Sequence, residues 1–582
     1  MLAHSTGQKV LLLGFHTPAF LSVIRSLGRA GIEVHVAWHK PDSLALCSRY
    51  VHRVHSIPAY SKQDSSWKEA LIDLMQREKF DLVIPCHDET VFPLQKHKTE
   101  LEAYGRIYTI SKESFAVLFD KIKTNELARK LGINVPKETV LYQEDREGAW
   151  EKIKAAQLDF PIVLKPHSSY NDNDKPARIH VQIARRAEDL APMLNSLLAY
   201  GPVIAQEFFI GKGVGVNFLL EEGKPLLVFQ QERVHEPLQG GSGTYRKSTA
   251  VCPELERAAL KIFSHLKYTG VAMAEFKVNP ATGSWVLIEI NARFWGSLPL
   301  ALAAGANFPL ALFELLTTGR TSVKNSYRRG IYARNLTADL SWQLKNLTAD
   351  HKDPTLLTVP VSKVLLTGFK NILTGKERID TLALDDLKPF RREVFLLGQM
   401  AWEKIRANIE QRYMCLPIFL HLQRRKLAQK LPGAKSILFV CHGNLCRSVF
   451  AEHLLKKNAP SAEVRSAGFL PEEGRKPPAE ALSLALEYGI DLSGHCSKRI
   501  NEEMVSSSDL IFVFDYDNYK KFRQEYRQAR KKVFLIGALL EEKQPFISDP
   551  WGKDMYYFRT IYKSINAAVG QITNMLKTAR PI

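Results

Sequence analysis

A strand, a short loop and a helix, read consecutively near the C-terminus, constrain the fold of this chain more than any other feature. Residues 436–440 form an apolar strand-like run, residues 440–448 read VCHGNLCRS, and residues 449–457 have a helical pattern. A short loop between a strand and a helix N-terminus directs backbone N–H groups at one point, where the helix dipole favours an anion. This segment therefore predicts an α/β unit that binds a phosphate group.

The loop also carries side chains suited to the chemistry of a phosphate ester. Arg447 can bind a phosphate through two parallel N–H bonds, and Gly443 permits tight curvature. Cys441 faces the same positive field, which favours a thiolate nucleophile, and Ser448 can donate a hydrogen bond to that thiolate. The alternative is a buried structural cysteine in a zinc-like spacing, but a Cys-x4-Cys pair without a second pair is a poor zinc site.

The loop resembles the signature of the low-molecular-weight protein tyrosine phosphatase family, Cys-x-Gly-Asn-x-Cys-Arg-Ser, over about residues 435–578. Four later segments agree in order, at residues 466–468, 489–495, 508–511 and 548–551. The resemblance implies that Cys441 forms a phosphocysteine and that Asp549, in an Asp-Pro-aromatic loop, is the general acid. An Asp-Pro pair by itself is a common turn. The other catalytic residues that the resemblance implies are Asn444, Arg447 and Ser448.

Some positions depart from the family pattern or carry a further implication of the resemblance. Gly552 stands where the family often has a second aromatic residue, which predicts a more open substrate wall. Leu445 occupies a slot in which the arginine-phosphatase branch is expected to carry Thr, and this favours an aryl phosphate. The substrate is expected to be a phosphomonoester or a phosphoprotein. Cys441 and Cys446 resemble the pair that forms a reversible protective disulfide in the family. Cys496 is expected to be a packed thiol rather than an arsenate-reductase relay.

The N-terminal half alternates strand-like and helix-like segments. Apolar runs at residues 9–14, 33–38 and 81–85, with an amphipathic helix at 66–77, predict a parallel sheet with crossover helices. A second α/β block continues to about residue 318. Its predicted strands include 161–165 and 203–207, and a strand pair over 271–290 with a turn at 279–283.

A spaced set of polar residues in this half predicts a nucleotide site, although no Walker loop is present. Glu275 and Glu289 can converge on adjacent antiparallel strands, and Asn291 lies two residues on, on the same face as Glu289. Two carboxylates and an amide oxygen suit Mg²⁺ that bridges nucleotide phosphates. Each residue is weak evidence by itself, since a Glu on a strand is usually solvated. The remaining members of the set are Lys121, Lys165, Gln206, Glu207 and Arg293.

The joint spacing resembles the ATP-grasp superfamily of the carboxylate–amine ligase type, over about residues 1–320. The resemblance implies that Lys121, Lys165 and Glu207, in a segment with Gln206, bind ATP. It further implies that Glu275, Glu289 and Asn291 bind Mg²⁺, with Mn²⁺ as a second candidate ion, and that Arg293 contacts the reacting phosphoryl group. Residues 85–90 would lie in a substrate-side loop.

Two loops in this region are of interest. The expected phosphate-covering loop, residues 167–175, contains no glycine, unlike the usual glycine-rich form. Residues 233–246 are a candidate mobile loop, in which Arg233 and Arg246 could hold a carboxylate; an ordinary surface loop is the alternative.

The formal net charge of +19 is unevenly distributed along the chain. Residues 320–434 carry 21 basic and 10 acidic side chains, so +11, and residues 424–426 (RRK) follow the apolar stretch 415–422. A solvated helix is one interpretation, and docking to an anionic membrane or a polyanionic substrate is the other. Nucleic-acid binding is disfavoured because no recognised motif accompanies the charge.

No run of about 18 apolar residues and no signal peptide is recognised, and the seven cysteines are expected to be cytosolic thiols. We therefore expect a cytoplasmic protein, with peripheral membrane contact through the basic connector as an alternative. The sequence does not address the oligomeric state.

We predict an α/β multidomain chain with four regions: a pre-ATP-grasp Rossmann-like domain (1–115), an ATP-grasp domain of α+β lobes (116–319), a basic helical connector and ATP-grasp C-terminal extension (320–434) and a flavodoxin-like parallel-sheet phosphatase domain (435–582). The predicted function is bifunctional: an ATP- and Mg²⁺-dependent ligase that joins a small carboxylate to an amine through an acyl phosphate, and a phosphomonoesterase. One alternative is a phosphatase regulated by an ATP-sensing domain without turnover. Another is an ATP-grasp phosphotransferase of polysaccharide or cell-envelope metabolism.

Overall fold

The computed structural model describes residues 7–14, 18–38, 42–168, 170–171, 177–178, 181–238, 240–351, 353, 356–540 and 545–577. The chain forms two compact units, Met1–Leu397 (unit 1) and Gly398–Ile582 (unit 2). Residues 320–434, predicted as a connector and C-terminal extension of the preceding domain, are divided between the two units. Their first part supplies strands and helices to unit 1, and their last part supplies helices to unit 2.

Unit 1 begins with a parallel sheet of order β3-β2-β1-β4. Its strands are β1 (Lys9–Leu13), β2 (Glu33–Ala37), β3 (Val51–Val54) and β4 (Leu82–Pro85), and its helices are α1 (Pro18–Arg29), α2 (Ser66–Glu78), α3 (Asp88–Lys96), α4 (Lys98–Glu102) and α5 (Lys112–Leu118). Val10 and Leu12 face one core and Leu11 and Leu13 face another. Burial on both faces explains the unbroken apolar run of β1, and the predicted parallel sheet is confirmed.

A small antiparallel sheet of order β5-β10-β6-β9 follows. The elements of this region are α6 (Lys121–Lys130), β5 (Glu138–Leu141), α7 (Ala149–Ala155), β6 (Ile162–Pro166), β7 (Tyr170–Asn171), β8 (Ala177–Arg178), β9 (Gln182–Ala184), α8 (Ala187–Leu198) and β10 (Val203–Glu207). Among the described residues, strands β7 and β8 pair with each other and with no other strand.

The largest sheet of unit 1 has seven strands in the order β15-β14-β11-β12-β13-β16-β17. Its region comprises β11 (Lys212–Glu221), β12 (Lys224–His235), β13 (Tyr245–Thr249), α9 (Pro253–His265), β14 (Gly270–Val278), β15 (Trp285–Asn291), α10 (Leu298–Ala304), α11 (Phe308–Thr318), β16 (Tyr332–Arg334), α12 (Leu336–Thr348), α13 (Val361–Leu373) and β17 (Glu377–Ile379). The predicted turn between β14 and β15 is closed by Gly283 N, which donates to Asn279 O at 2.9 Å.

Unit 2 contains a four-stranded parallel sheet of order β19-β18-β20-β21 with cores on both faces. Helix α14 (Lys388–Met414) leads into it, followed by α15 (Pro417–Lys430), β18 (Ser436–Cys441), α16 (Arg447–Asn458), β19 (Glu463–Gly468), α17 (Ala479–Glu487), α18 (Glu502–Ser507), β20 (Leu510–Val513), α19 (Tyr516–Glu525), β21 (Val533–Leu535) and α20 (Met555–Lys577).

In the part of the chain that the structure describes, no single helix is both long and apolar enough to cross a bilayer. Only α10 and α11 taken together meet that test, and they are bent by 90° at their junction.

Candidate active sites

A cavity of about 790 Å³ in unit 1 is lined by strands β6, β9 and β10 of the small sheet and by β12, β14 and β15 of the large sheet. All eight N-terminal residues predicted from the sequence line this one cavity: Lys121, Lys165, Gln206, Glu207, Glu275, Glu289, Asn291 and Arg293. The structure therefore brings together groups that lie as far as 172 positions apart in the sequence.

The acidic part of the cavity is built on the β14–β15 hairpin. Glu275 lies directly opposite Glu289 in the strand register, and the ladder shifts by one position after Glu275. The Asn291 Nδ2 group donates to Glu289 Oε1 at 2.9 Å, which leaves the amide oxygen of Asn291 as a further oxygen donor. The convergence expected of these three residues is thus present in the structure.

The two carboxylates have different electrostatic surroundings. Burial raises the pKa of Glu275, and the neighbouring Glu289 adds to this, although Arg233 Nη2 lies 2.6 Å from Glu275 Oε2 and opposes it. Burial acts in the same direction on Glu289, but Lys121 and the other groups around it outweigh burial and lower the pKa of Glu289. Two carboxylates and an amide oxygen are a donor set that fits a hard divalent cation, which would relieve the repulsion between the two acids.

The basic side of the cavity carries two lysines at the ends of secondary-structure elements. Lys121 is the first residue of α6, whose N-cap Asp120 accepts from Ile122 N at 2.9 Å. Lys165 lies near the end of β6, and burial lowers its pKa to about 8 despite the nearby Glu289. A helix N-terminus and two ammonium groups together favour an anion here.

Gln206 and Glu207 form the edge of the cavity on β10. The Gln206 Nε2 group donates to Glu138 Oε2 at 2.9 Å, and Glu207 Oε1 accepts from Lys137 N at 2.9 Å. Both side chains are thereby fixed to residues at the start of β5.

Arg293 is fixed by a partner that the sequence did not indicate. Its Nε and Nη2 groups lie 2.5 and 2.9 Å from the two oxygens of Asp88, the first residue of α3. Asp88 falls in the segment predicted on the substrate side, and the structure couples that segment to Arg293 by a bidentate ion pair.

A second cavity, of about 270 Å³, adjoins the first and shares its acidic residues. Its wall also includes Cys86, His87 and Arg246. Of the segment predicted as a substrate-side loop, residues 86–87 line this chamber next to the acidic pair, whereas residues 88–90 belong to helix α3.

The bounds predicted for the candidate mobile loop, residues 233–246, are wrong. Arg233 belongs to β12 and Arg246 to β13, so only residues 236–244 connect the two strands. Arg233 pairs with Glu275, and Arg246 Nη2 lies 2.5 Å from Asp380 Oδ1. Of the predicted phosphate-covering loop at 167–175, residues 169 and 172–175 lie outside the described residues.

In unit 2 the loop between β18 and α16 wraps around the Cys441 sulfur. Asn444 N donates to Cys441 Sγ at 3.2 Å, and the Ser448 hydroxyl lies 3.1 Å from the same sulfur. Cys441 is 3% exposed. These contacts stabilise a negatively charged sulfur at the helix N-terminus.

Arg447 joins this loop to two other segments of unit 2. Its Nη2 group lies 2.8 Å from Asp549 Oδ2, and its Nη1 group lies 2.5 Å from Asp515 Oδ2 and donates to Ile547 O at 2.9 Å. Burial by itself would lower the pKa of Arg447, but Cys441 and the two aspartates outweigh burial and raise it. The structure thus places Cys441, Arg447 and Asp549 in one site, as expected, and Asp515 is a member that the sequence did not reveal.

Asn444 rather than Gly443 provides the unusual backbone conformation of the loop. Its φ is +54°, whereas Gly443 is not in the left-handed region. The Asn444 Nδ2 group donates to Ser448 Oγ at 2.9 Å and to Ser466 Oγ at 2.8 Å, and its Oδ1 accepts from Lys498 N at 2.9 Å. The side chain therefore stabilises the strained loop with three hydrogen bonds.

Comparisons with known proteins agree with this division. Residues 436–581 match the family model of low molecular weight phosphotyrosine protein phosphatase. Over 133 residues the chain is 34% identical to the low molecular weight protein-tyrosine-phosphatase Etp of Escherichia coli K12, which is 23% of this chain and 88% of that protein. It is 36% identical over 124 residues to the corresponding phosphatase Ptp of Acinetobacter johnsonii, covering 21% of this chain and 85% of the relative.

Unit 2 belongs to the low-molecular-weight protein tyrosine phosphatase family.

Residues 248–315 of unit 1 match the model of the carbamoyl-phosphate synthase L chain, ATP binding domain. Among solved structures, the N5-carboxyaminoimidazole synthetase of Staphylococcus aureus is 16% identical, with a TM-score of 0.45, and the match covers 60% of this chain and 87% of that one.

The remaining predictions for the phosphatase unit concern the residues beside the phosphate-binding loop and the cysteines. Trp551 is 56% exposed and Gly552 follows it with φ +72°, whereas Leu445 is buried in the core. Cys441 and Cys446 are free thiols in the structure, and burial raises the pKa of Cys446. Cys496 is exposed, so the expectation that it is a packed thiol is wrong.

Proposed function

We propose that the chain is a bifunctional enzyme, an ATP-dependent carboxylate–amine ligase joined to a phosphomonoesterase of the tyrosine phosphatase type. For the ligase, the observation that supports the proposal most is that eight predicted residues line one cavity. For the esterase, it is the contact of the Cys441 sulfur with Asn444 N and Ser448, beside the Arg447–Asp549 pair.

In the proposed ligase reaction, Lys121 and Lys165 hold the phosphates of ATP, and the segment at Gln206 and Glu207 adjoins the base. A carboxylate oxygen of the substrate attacks the γ-phosphorus, ADP leaves, and an acyl phosphate forms. The amine then attacks the acyl carbon and inorganic phosphate leaves.

The residues of the acidic pair fit a metal ion in this scheme. Glu275, Glu289 and Asn291 would hold Mg²⁺, or Mn²⁺ with the same preference for oxygen donors, and a bound ion would neutralise charge on the nucleotide phosphates. Arg293, held in place by Asp88, faces the developing charge of the phosphoryl group. The smaller adjoining cavity is the proposed place of the carboxylate substrate.

In the proposed esterase reaction, the Cys441 thiolate attacks phosphorus while Asp549 donates a proton to the leaving oxygen. Asp549 then takes a proton from water, which attacks the phosphocysteine, so that inorganic phosphate and the thiolate are released. Arg447 and the loop N–H groups hold the phosphate oxygens in both steps.

The ligase proposal is tested by ADP release in the presence of panels of small carboxylates and amines. Glu289→Gln should reduce the rate at least about 100-fold because one of the two acidic oxygen donors is lost. Glu221→Gln, at an exposed position at the end of β11, is the matched control and should keep the full rate. ADP release that needs no carboxylate, or that survives Glu289→Gln, would contradict the proposal.

The esterase proposal is tested with a small aryl phosphate. Cys441→Ser should lower the hydrolysis rate by about 1,000-fold or more, since the serine hydroxyl is a far weaker nucleophile than a thiolate. Cys496→Ser, which changes an exposed cysteine of the same unit, should retain activity. Full activity of Cys441→Ser would overturn the assignment.

A further inference from the structure

Helix α13 of unit 1 presents its apolar side chains to solvent and its polar side to the protein. Of its thirteen residues only Asn371 is buried, at 4% exposure. Five large apolar side chains on the same helix are 65–70% exposed; we call them the α13 apolar face, and they are Leu365, Leu366, Phe369, Ile372 and Leu373. Monomeric proteins rarely expose a continuous apolar patch of this kind without a use for it.

The anchoring of α13 shows that this orientation is built into the fold. The Asn371 Nδ2 group donates to the Tyr245 hydroxyl at 2.7 Å, and that hydroxyl lies 2.5 Å from Glu377 Oε2. Tyr245 is the first residue of β13 and is 1% exposed. Because the polar side of α13 is fixed to the seven-stranded sheet by a buried network, the apolar side cannot turn inward.

Large apolar side chains are also exposed at the C-terminal end of α12. Asn346 binds both backbone groups of Val359, donating to its carbonyl at 2.8 Å and accepting from its N–H at 2.9 Å. This places the C-terminal end of α12 next to the start of α13. Leu344 and Leu347 on α12 are 60% and 57% exposed.

The charged residues around the α13 apolar face indicate which kind of partner binds there. Residues 361–376 contain three lysines, Lys363, Lys370 and Lys376, and no acidic residue. All three lysines are exposed, as is Lys345 on α12. Protein interfaces are depleted of lysine and are centred on Trp, Tyr and Arg, whereas helices that lie in a membrane surface combine Leu and Phe with lysines.

We propose that the α13 apolar face, with the end of α12, inserts into the surface of an anionic lipid bilayer. The leucine, isoleucine and phenylalanine side chains enter the boundary of the acyl chains, and the lysines contact lipid phosphates through extended side chains. Since α13 is fixed to the sheet that carries the β14–β15 hairpin, binding would hold unit 1 at the membrane surface. The inference does not depend on the ligase or esterase chemistry.

The test is co-sedimentation of the full chain with phosphatidylcholine vesicles and with vesicles containing about one third phosphatidylglycerol. We expect binding to the anionic vesicles that weakens with salt, and at least about tenfold weaker binding to the neutral ones. The double variant L366E/F369E should lose about tenfold or more of the partition coefficient. Each of K363Q, K370Q and K376Q should lose up to about fivefold.

Controls separate lipid binding from other causes. L486E introduces one glutamate, where the double variant introduces two, at a 62% exposed leucine on α17 and should bind vesicles as the wild type does. Because the altered side chains are exposed, L366E/F369E should keep the melting temperature and the aryl phosphatase rate of the wild type. The inference is overturned if the wild type does not bind anionic vesicles, if L486E is equally impaired, or if binding survives L366E/F369E and depends on the lysines alone. It is also overturned if light scattering shows a dimer that L366E/F369E dissociates and no vesicle binding occurs, since a second copy would then cover the face.

Discussion

Asn444 combines a left-handed backbone conformation with side-chain hydrogen bonds that hold the phosphate-binding loop. Its φ of +54° is tolerated by Asn and Gly, and its side chain makes three hydrogen bonds within the loop. We predict that Asn444→Ala loses about 2–4 kcal/mol of stability in unit 2, because it combines backbone strain with unpaired buried groups. Asn444→Gly should lose about 1 kcal/mol less, since glycine accepts the left-handed conformation.

Both Asn444 variants should show kcat for an aryl phosphate reduced by about tenfold or more, because Ser448 and the loop lose the same side-chain partner. Thermal unfolding and steady-state kinetics measure the two effects separately. An Asn444→Gly protein less stable than Asn444→Ala would show that the backbone conformation is not a source of strain.

His35 predicts a dependence of unit 1 stability on pH. It lies on β2, is 2% exposed, and its Nδ1 is 2.8 Å from His55 Nε2. Burial, and then the neighbouring His55, lower the pKa of His35 to about 4 from its usual 6.5. The unfolded chain binds this proton below about pH 6.5 and the folded chain does not until about pH 4, so stability falls as pH decreases through that window, by up to about 3 kcal/mol.

The prediction is checked by urea unfolding of unit 1 at pH 7 and pH 5. His35→Gln, which does not titrate, should show a smaller loss of unfolding free energy between the two pH values than the wild type. His265→Gln, at an exposed position of α9, should behave as the wild type. An equal loss in His35→Gln would mean that other groups cause the acid sensitivity.

Among the elements, strand β19 packs so closely against the phosphate-binding loop that its last residue has no room for a side chain. A Cβ at Gly468, its last residue, would lie 2.8 Å from Asn444 N and 2.9 Å from Gly443 C, both backbone atoms. We predict that Gly468→Ala displaces the loop and lowers kcat/KM for an aryl phosphate about tenfold or more. Gly494→Ala, where a Cβ would meet nothing within 4 Å, is the matched control and should keep activity. Unchanged kinetics for Gly468→Ala would show that the loop yields without cost.

Strands and helices that are marked by a local sequence pattern could be predicted from the sequence. Contacts between side chains that are far apart in the sequence could not. The β14–β15 hairpin followed from its turn residues, and with it came the pairing of Glu275 with Glu289. In contrast, Arg293 and Asp88 are 205 positions apart, and no local pattern indicates that they meet. The orientation of helix α13 could not be predicted for a different reason. Its apolar spacing indicates that the apolar side is buried, whereas the hydrogen bond of the buried Asn371 fixes the polar side to the protein and leaves the apolar side exposed.

At the scale of the whole molecule, each unit has its own hydrophobic cores and its own site. The match covers 88% of the length of the Escherichia coli relative, so little of that protein lies outside the region that is similar to unit 2. We therefore expect residues 398–582 alone to hydrolyse an aryl phosphate with kcat/KM within about twofold of the full chain.

The same independence predicts that ATP with Mg²⁺ changes the phosphatase rate of the full chain by less than about twofold, because a regulatory effect needs a coupling free energy between the two sites. The measurement is the initial rate of aryl phosphate hydrolysis with and without saturating nucleotide, in the wild type and in Glu289→Gln. A larger change in the wild type that Glu289→Gln removes would favour the alternative function, in which unit 1 senses ATP and regulates the phosphatase. If the phosphatase rate is insensitive to ATP while ADP still accumulates, the two units work as separate catalysts. Any link between the two reactions would then lie in the substrates and products that they share.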